Sequence, residues 1–114
     1  MIERGDVVVA RRRVGFGASG EDERFIVVQE DGLAQTLASV VVVPLDAWSA
    51  SDASDPLSVR VGKREAGAKS DLAARVPLIG ARPVDRFSPH PVGRVTGTTL
   101  SALEDRIRVL LALT

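Results

Sequence analysis

Two runs of apolar, mostly β-branched residues constrain the fold of this chain more than any other feature. Residues 25–28 read FIVV and residues 40–43 read VVVV, with a polar, turn-rich segment between them. Each run is too short and too β-branched for an ordinary helix, so both predict central strands buried on two faces. Charged residues stand at their outer ends, Arg24 before the first run and Asp46 after the second. If the two strands pair antiparallel, these residues lie at the same edge of the sheet.

Shorter strand signals flank these two runs. Residues 7–10 are apolar, and residues 57–61 alternate apolar and polar side chains, which is typical of a half-buried strand. Weaker strand signals follow at 74–79 and 82–87, whereas residues 47–56, rich in Ser, Asp and Ala, predict a surface loop. The chain is therefore expected to build five or six short strands.

Apolar residues near the end of the sequence predict one amphipathic helix. They recur with helical spacing on one face: Leu100, Leu103, Ile107, Leu110 and Leu111. Thr96 is the predicted N-cap, and Ser101 with Glu104 offers a second, later capping box. Together these signals predict a single domain over residues 1–114 of the β-rich α+β class, a strongly bent antiparallel sheet or partly open barrel with a C-terminal amphipathic helix.

Composition limits the function classes. Fifteen Lys and Arg residues balance fifteen Asp and Glu residues, which argues against a strongly basic nucleic-acid-binding module. The absence of cysteine excludes disulfides and thiolate metal sites. No apolar run approaches the roughly 18 residues of a membrane helix, and acid precedes the first apolar run, the reverse of a signal peptide. A cytosolic protein without membrane contact is expected.

A glycine-rich segment at residues 15–20 has the spacing G-x-G-x-x-G of a dinucleotide-binding loop. In that fold the motif opens a helix, whose free N–H groups bind the pyrophosphate. Here three acids and a Val/Ile strand follow instead, and the acids repel phosphate. A hairpin loop between two strands is the better interpretation.

Six short motifs occur in order along the whole chain. They are Arg4-Gly5-Asp6, the glycine-rich first loop, residues 24–29 beginning with Arg24, residues 41–45 (VVVPL), residues 82–86 (RPVDR) and residues 92–96 (VGRVT). In their order and in their residues, these motifs resemble the MazF/PemK family, the toxin half of bacterial toxin–antitoxin modules. No single motif is specific, and it is their combination that carries the resemblance.

The resemblance implies an SH3-like, CcdB/MazF-like barrel that forms a homodimer in the bacterial cytoplasm. It also implies an endoribonuclease, an mRNA interferase that cuts single-stranded RNA without a metal or other cofactor and is neutralised by a cognate antitoxin. In this reaction the ribose 2′-OH attacks the adjacent phosphorus and leaves a 2′,3′-cyclic phosphate and a 5′-OH. A base, a cation for the phosphorane charge and an acid for the leaving oxygen are required.

The resemblance assigns the family's catalytic arginine to Arg24, as the cation or the acid. Three positions depart from the family pattern: Phe25 replaces a proline, Asp46 replaces a threonine or serine, and Ile79 stands roughly where an acid is expected. Chemistry alone leaves two opposite roles open for Asp46. It is either the base for the 2′-OH beside Arg24, or a charge that repels phosphate and abolishes cleavage.

Five further residues are candidates for RNA contact: Arg11, Arg12, Arg13, Phe16 and Trp48. Phe16 and Trp48 are suited to stack on exposed bases. The simpler interpretations are a solvated strand end for the arginine triplet, a dimer or antitoxin contact for Phe16, and a partial cap on the core for Trp48.

The departures at Phe25 and Asp46 also raise an alternative from another functional class. The relative CcdB shares the fold and poisons DNA gyrase by binding it, and a catalytically silent toxin-fold protein is a related alternative. The Arg4-Gly5-Asp6 start and the glycine-rich loop favour MazF, and the predicted helix ends without an aromatic tail for gyrase.

Overall fold

Seven strands and two helices make up the part of the chain that the computed structural model describes, residues 2–10, 23–31 and 38–112. The strands are β1 Asp6–Val9, β2 Arg24–Val27, β3 Ser39–Ala47, β4 Ser58–Val61, β5 Leu72–Arg75, β6 Gly80–Pro83 and β7 Gly93–Arg94. The helices are α1 Lys63–Ala66 and α2 Gly97–Leu110. Short 3₁₀ helices lie at Ala50–Ser54, Val76–Leu78 and Val84–Arg86.

The nine-residue strand β3 organises the sheet, in which all pairs are antiparallel. The strand order is β4-β5-β3-β2-β1-β7, and β6 also pairs with β3. One edge of β3 is divided, since residues 39–42 pair with β6 and residues 45–47 pair with β5. Pro44 falls in the gap between these two ladders, where the N–H that proline lacks is not needed.

The chain after β6 returns to the other side of the sheet and curls it. Phe87 forms an isolated bridge with Ala10, and Ser88 N donates a hydrogen bond to the carbonyl oxygen of Val9 at 2.9 Å. Since β6 is attached to β3 and β1 to β2, this return closes the strands into an antiparallel half-barrel. The predicted fold class, a bent antiparallel sheet with a C-terminal helix, is confirmed.

The two apolar runs are buried on both faces, as predicted, because consecutive side chains enter different cores. The first core lies between the sheet and α2 and includes Val7, Ile26, Val43, Val61, Val76 and Leu103. The second fills the opposite face and consists of Val8, Phe25, Val27, Val40, Val42 and Phe87. In this second core the rings of Phe25 and Phe87 meet edge to face, with centroids 5.4 Å apart.

Two of the sequence motifs, from opposite ends of the chain, contact each other. Buried Asp6 accepts a hydrogen bond from Arg94 Nη1 at 2.8 Å, and Val95 N donates to the carbonyl oxygen of Gly5 at 2.9 Å. Gly5 has a φ of 90°, a conformation that favours glycine. These motifs therefore act structurally, by fixing β1 to β7 and thereby to the start of α2.

In the later part of the chain, the strand boundaries differ from those predicted from the sequence. The strand predicted at 74–79 ends at Arg75, and the strand predicted at 82–87 covers Gly80–Pro83; a 3₁₀ helix follows each. Pro77 and Pro83 lie at these junctions, where a missing N–H and a fixed φ do not support a continued ladder. The loop predicted at 47–56 contains the 3₁₀ helix Ala50–Ser54.

Helix α2 begins at Gly97, directly after the predicted N-cap Thr96. The Thr96 side chain accepts a hydrogen bond from Thr99 N at 3.2 Å. The later capping box, Ser101 with Glu104, falls inside the helix and does not cap it, and Glu104 pairs instead with Arg4 near the N-terminus. Neither helix in the described residues is long and apolar enough to span a bilayer.

Candidate functional site

Arg24 opens β2 and directs its side chain toward α1. Arg24 lies opposite Leu45 of β3, on the face of the sheet that carries Ile26 and the first core. Its Nε donates to the carbonyl oxygen of Ala66 at 3.2 Å, and its Nη2 donates to that of Gly67 at 3.0 Å. These carbonyls lie at the C-terminal end of α1, where the backbone carries partial negative charge. The half-buried guanidinium is therefore oriented by main-chain atoms.

Two glycines allow α1 to lie where it can hold Arg24. Gly67 has a φ of 61°, and a Cβ there would overlap the carbonyl oxygen of Val92. A Cβ on Gly93 would overlap the carbonyl oxygen of Glu65 in the same way. The backbone of α1 thus packs directly on the backbone of β7, and a side chain at either glycine would separate them.

Glu65 connects α1 to the start of α2. Its carboxylate accepts hydrogen bonds from Thr96 N and Thr99 Oγ1, both at 2.7 Å, and from Gly62 N at 3.1 Å. Partial burial raises the pKa of Glu65, but these hydrogen bonds outweigh burial and leave the pKa below its ordinary value. One ionised carboxylate thus fixes the short helix on which Arg24 rests.

Asp46 lies at the same edge of the sheet as Arg24 but on the opposite face. Antiparallel register places Leu45 across from Arg24, and side chains alternate along a strand, so Asp46 points away from the α2 side. The Asp46 carboxylate, 61% exposed, accepts a hydrogen bond from Arg75 Nε at 2.7 Å. The two predicted residues share a sheet edge, as expected, but their side chains do not share a face.

Arg75 joins Asp46 to a buried carboxylate that the sequence analysis did not single out. Asp52, in the 3₁₀ helix after β3, forms an ion pair with Arg75 and accepts a hydrogen bond from Ser49 N at 2.8 Å. The Arg75 hydrogen bond, followed by that of Ser49, lowers the pKa of Asp52 from 3.8 to about 2. The Ser49-x-x-Asp52 spacing of a capping box is the one sequence signal for this contact. The cluster anchors the segment between β3 and β4.

A concave surface, here called the basic groove, lies beside this cluster. It has a volume of about 460 Å³ and is lined by Ala47, Trp48, Arg60, Lys63, Lys69, Ser70 and Asp71. The Arg60 guanidinium lies over the Trp48 ring, 5.2 Å from its centroid, within the range of a cation–π contact.

Asp71 orients the Arg60 side chain and holds the backbone at Lys63 in the basic groove. Its carboxylate accepts hydrogen bonds from Lys63 N at 2.9 Å and from Arg60 Nε at 3.0 Å. These two bonds, the first of them the larger, hold the pKa of Asp71 below its ordinary value. Arg60, Lys63 and Lys69 were missed in the sequence because they are spread over ten residues without a motif and meet only after folding.

The predicted RNA-contact residues divide into two groups. Trp48 is half-buried, belongs to neither core, and lies in the basic groove. Arg11, Arg12, Arg13 and Phe16 lie outside the described residues. Within the described ranges, no group of three or more His, Asp or Glu residues is arranged to hold a metal ion.

Comparison with solved structures identifies the fold. An endoribonuclease in complex with its cognate antitoxin, from a mycobacterial species, has a TM-score of 0.76 and 19% identity, covering 100% of this chain and 98% of that chain. The Mycobacterium tuberculosis toxin MazF-mt6 also has a TM-score of 0.76, with 14% identity over 96% of this chain and 98% of its own.

A MazE–MazF crystal structure from Deinococcus radiodurans gives a TM-score of 0.76 at 11% identity, over 99% of this chain and 98% of that chain. No protein-family model and no curated protein matches the sequence. At these identities the likeness establishes the fold, and that fold is the one of MazF toxins. The resemblance drawn from the sequence motifs is confirmed at this level.

Proposed function

We propose that this chain is the toxin of a type II toxin–antitoxin module and cleaves single-stranded RNA by 2′-OH transesterification. The observation that carries this proposal is the placement of Arg24 within a MazF fold. Its guanidinium lies at the sheet edge, held by the carbonyl oxygens of Ala66 and Gly67. A positioned cation of this kind stabilises the charge that develops on a phosphorane.

In the proposed reaction a base removes the proton of the 2′-OH, and the 2′ oxygen then bonds to the adjacent phosphorus. The phosphorus–5′-oxygen bond breaks, and that oxygen takes up a proton from water to become the 5′-OH, which balances the proton that the base removed. Arg24 stabilises the equatorial oxygens of the phosphorane. Asp46 remains the proposed base, positioned by Arg75. Because the 2′-OH and the adjacent phosphorus belong to one linkage, the side chains of Asp46 and Arg24 have to reach that linkage from opposite faces, around the end of the strands.

The proposed partners follow the same assignment. Complexes of MazF with MazE among the structural neighbours support a cognate antitoxin as the partner of this chain. A homodimer, an RNA substrate and a place in the bacterial cytoplasm are inferred from the family resemblance. The gyrase-binding alternative shares the fold, but none of the neighbours compared above favours it.

Induced expression in bacteria tests the proposal. Wild type should arrest growth and fragment cellular RNA, whereas Arg24→Ala should lower cleavage on the order of 100- to 1,000-fold, because it removes a charge-stabilising donor. Arg108→Ala, which changes an exposed arginine on α2, is the matched control and should behave as wild type. Growth arrest with intact RNA would contradict the nuclease assignment and support the gyrase-binding alternative.

A further inference from the structure

The basic groove concentrates positive charge in a chain with no net charge. Arg60 comes from β4, Lys63 from the first residue of α1, and Lys69 from the connection to β5. The sequence contains two lysines, and both line this groove. Asp71 is its one carboxylate, so the three cations give the groove an excess of positive charge that suits an anionic ligand.

Trp48 adds an aromatic surface to these cations. Its ring is half-buried and lies beneath the Arg60 guanidinium, and Arg60 Nε donates a hydrogen bond to Asp71. Aromatic and guanidinium planes next to lysines are the combination by which proteins bind single-stranded nucleic acid, with stacking on the base and charge on the phosphate. A carboxylate-rich peptide would bind the cations alone and would not stack on the Trp48 indole.

Helix α1 connects the basic groove to Arg24. Its first residue, Lys63, lines the groove, and the carbonyl oxygen of its last residue, Ala66, accepts the hydrogen bond from Arg24 Nε. At a rise of 1.5 Å per residue these two positions are about 5 Å apart along the helix axis. Arg60 alternates with Val59 and Val61 of the first core and therefore projects from the face opposite Arg24. A strand that places one phosphate at Arg24 has to cross the sheet edge to reach the groove with an adjoining part of the same chain.

We infer that the basic groove is a subsite for one unstacked nucleotide of single-stranded RNA, with its base against Trp48 and Arg60 and its phosphate at Lys63 and Lys69. The inference rests on the proposed function, and it assigns substrate positioning to four residues that play no part in the chemistry at Arg24. An acidic peptide segment in the same groove is the competing occupant.

Trp48 is the only tryptophan of the chain, so its fluorescence reports directly on the groove. The probe is a mixed-sequence, single-stranded 2′-O-methyl RNA of ten nucleotides, which lacks the attacking hydroxyl and is not consumed by the wild-type protein. Saturable change of the Trp48 emission is expected. Polyglutamate of equal charge should leave the emission unchanged.

Substitutions in the groove give the quantitative test. The double variant Lys63→Gln/Lys69→Gln should reduce the salt dependence of log K by about 0.7, since the two lysines share one phosphate and each phosphate contact on a single strand contributes about 0.7. Trp48→Ala, followed with a labelled probe, should weaken binding about 5- to 150-fold, and Trp48→Phe should retain most of the affinity. Arg108→Gln, an exposed cation on α2, is the control and should alter neither quantity.

Cleavage by the wild-type protein separates the two assignments. Active cleavage with an unchanged KM in the double lysine variant, or labelled RNA that binds without altering Trp48 emission, would overturn the subsite and leave the nuclease assignment intact. A Trp48 response to polyglutamate but not to RNA would overturn it in favour of a peptide surface. A third outcome is that the wild-type protein does not cleave RNA, while RNA still changes the Trp48 emission and the double lysine variant weakens that change. This result would support the subsite and contradict the nuclease assignment.

Discussion

At the residue scale, the hydrogen bonds that hold Arg24 are made to main-chain carbonyls of Ala66 and Gly67. A carbonyl oxygen orients a guanidinium without cancelling its charge, whereas a carboxylate would do both. Arg75 shows the contrast, since its guanidinium is shared between Asp46 and Asp52. Of these two arginines, Arg24 is therefore the one suited to stabilise a phosphorane.

The role of Asp46 can be tested directly by substitution. Asp46→Asn keeps the shape of the side chain and removes its basicity, so we expect RNA cleavage to fall by about 100-fold, a typical contribution of a general base. The measurement is the single-turnover rate on a short RNA across pH. Asp105→Asn, which alters an exposed carboxylate on α2, serves as control. Cleavage at the full wild-type rate in Asp46→Asn would remove Asp46 from the mechanism.

Two glycines of different surroundings test how α1 is held. Gly93→Ala would place a methyl group against the carbonyl oxygen of Glu65. Thermal unfolding should therefore show that the free energy of unfolding falls by about 1–3 kcal/mol or more. Gly97→Ala is the matched control, because a Cβ there meets no atom within 4 Å and lies in the first turn of α2. It should be neutral or stabilise by up to about 1 kcal/mol. Equal stability of the two variants would contradict the close packing of α1 on β7.

At the scale of elements, the strands are far more readable in the sequence than their connections. The two β-branched runs predict β2 and β3 because strong local preference and burial agree there. Helix α1 was not predicted, since its four residues lie in a charged, glycine-containing connection, and it is held by Gly93 and Glu65 contacts that arise only on folding. The same holds for the basic groove, whose cations come from three separate elements.

The 3₁₀ helix after β3 makes stability depend on pH through Asp52. The pKa of this group is about 2 in the folded protein and 3.8 as its ordinary value, so its contribution is complete above about pH 5 and is lost as the pH falls toward 2. Chemical denaturation of wild type and Asp52→Asn should therefore show a difference in stability at pH 6 that narrows between about pH 5 and pH 2. Asp85→Asn, at an exposed position, is the control for the removal of one carboxylate charge. A difference for Asp52→Asn that stays constant over this range would contradict the assignment.

At the scale of the whole molecule, fold and site are specified by different parts of the sequence. Aliphatic alternation produces a half-barrel with a core on each face, and the terminal motifs fix β1 to β7 through Asp6 and Arg94. The sequence could indicate the edge that carries Arg24 and Asp46, since antiparallel pairing dictates it. It could not indicate that the two side chains project from opposite faces. That depends on the exact register of β2 and β3, since a shift of one residue would put Asp46 on the same face as Arg24.

The most direct test of the central claim is end-group analysis of a defined single-stranded RNA incubated with the purified protein. With wild type we expect fragments that carry a 2′,3′-cyclic phosphate and a 5′-OH, and with Arg24→Ala a rate that is lower on the order of 100- to 1,000-fold. Intact RNA with the wild-type protein, or fragments formed equally fast by Arg24→Ala, would contradict the central claim.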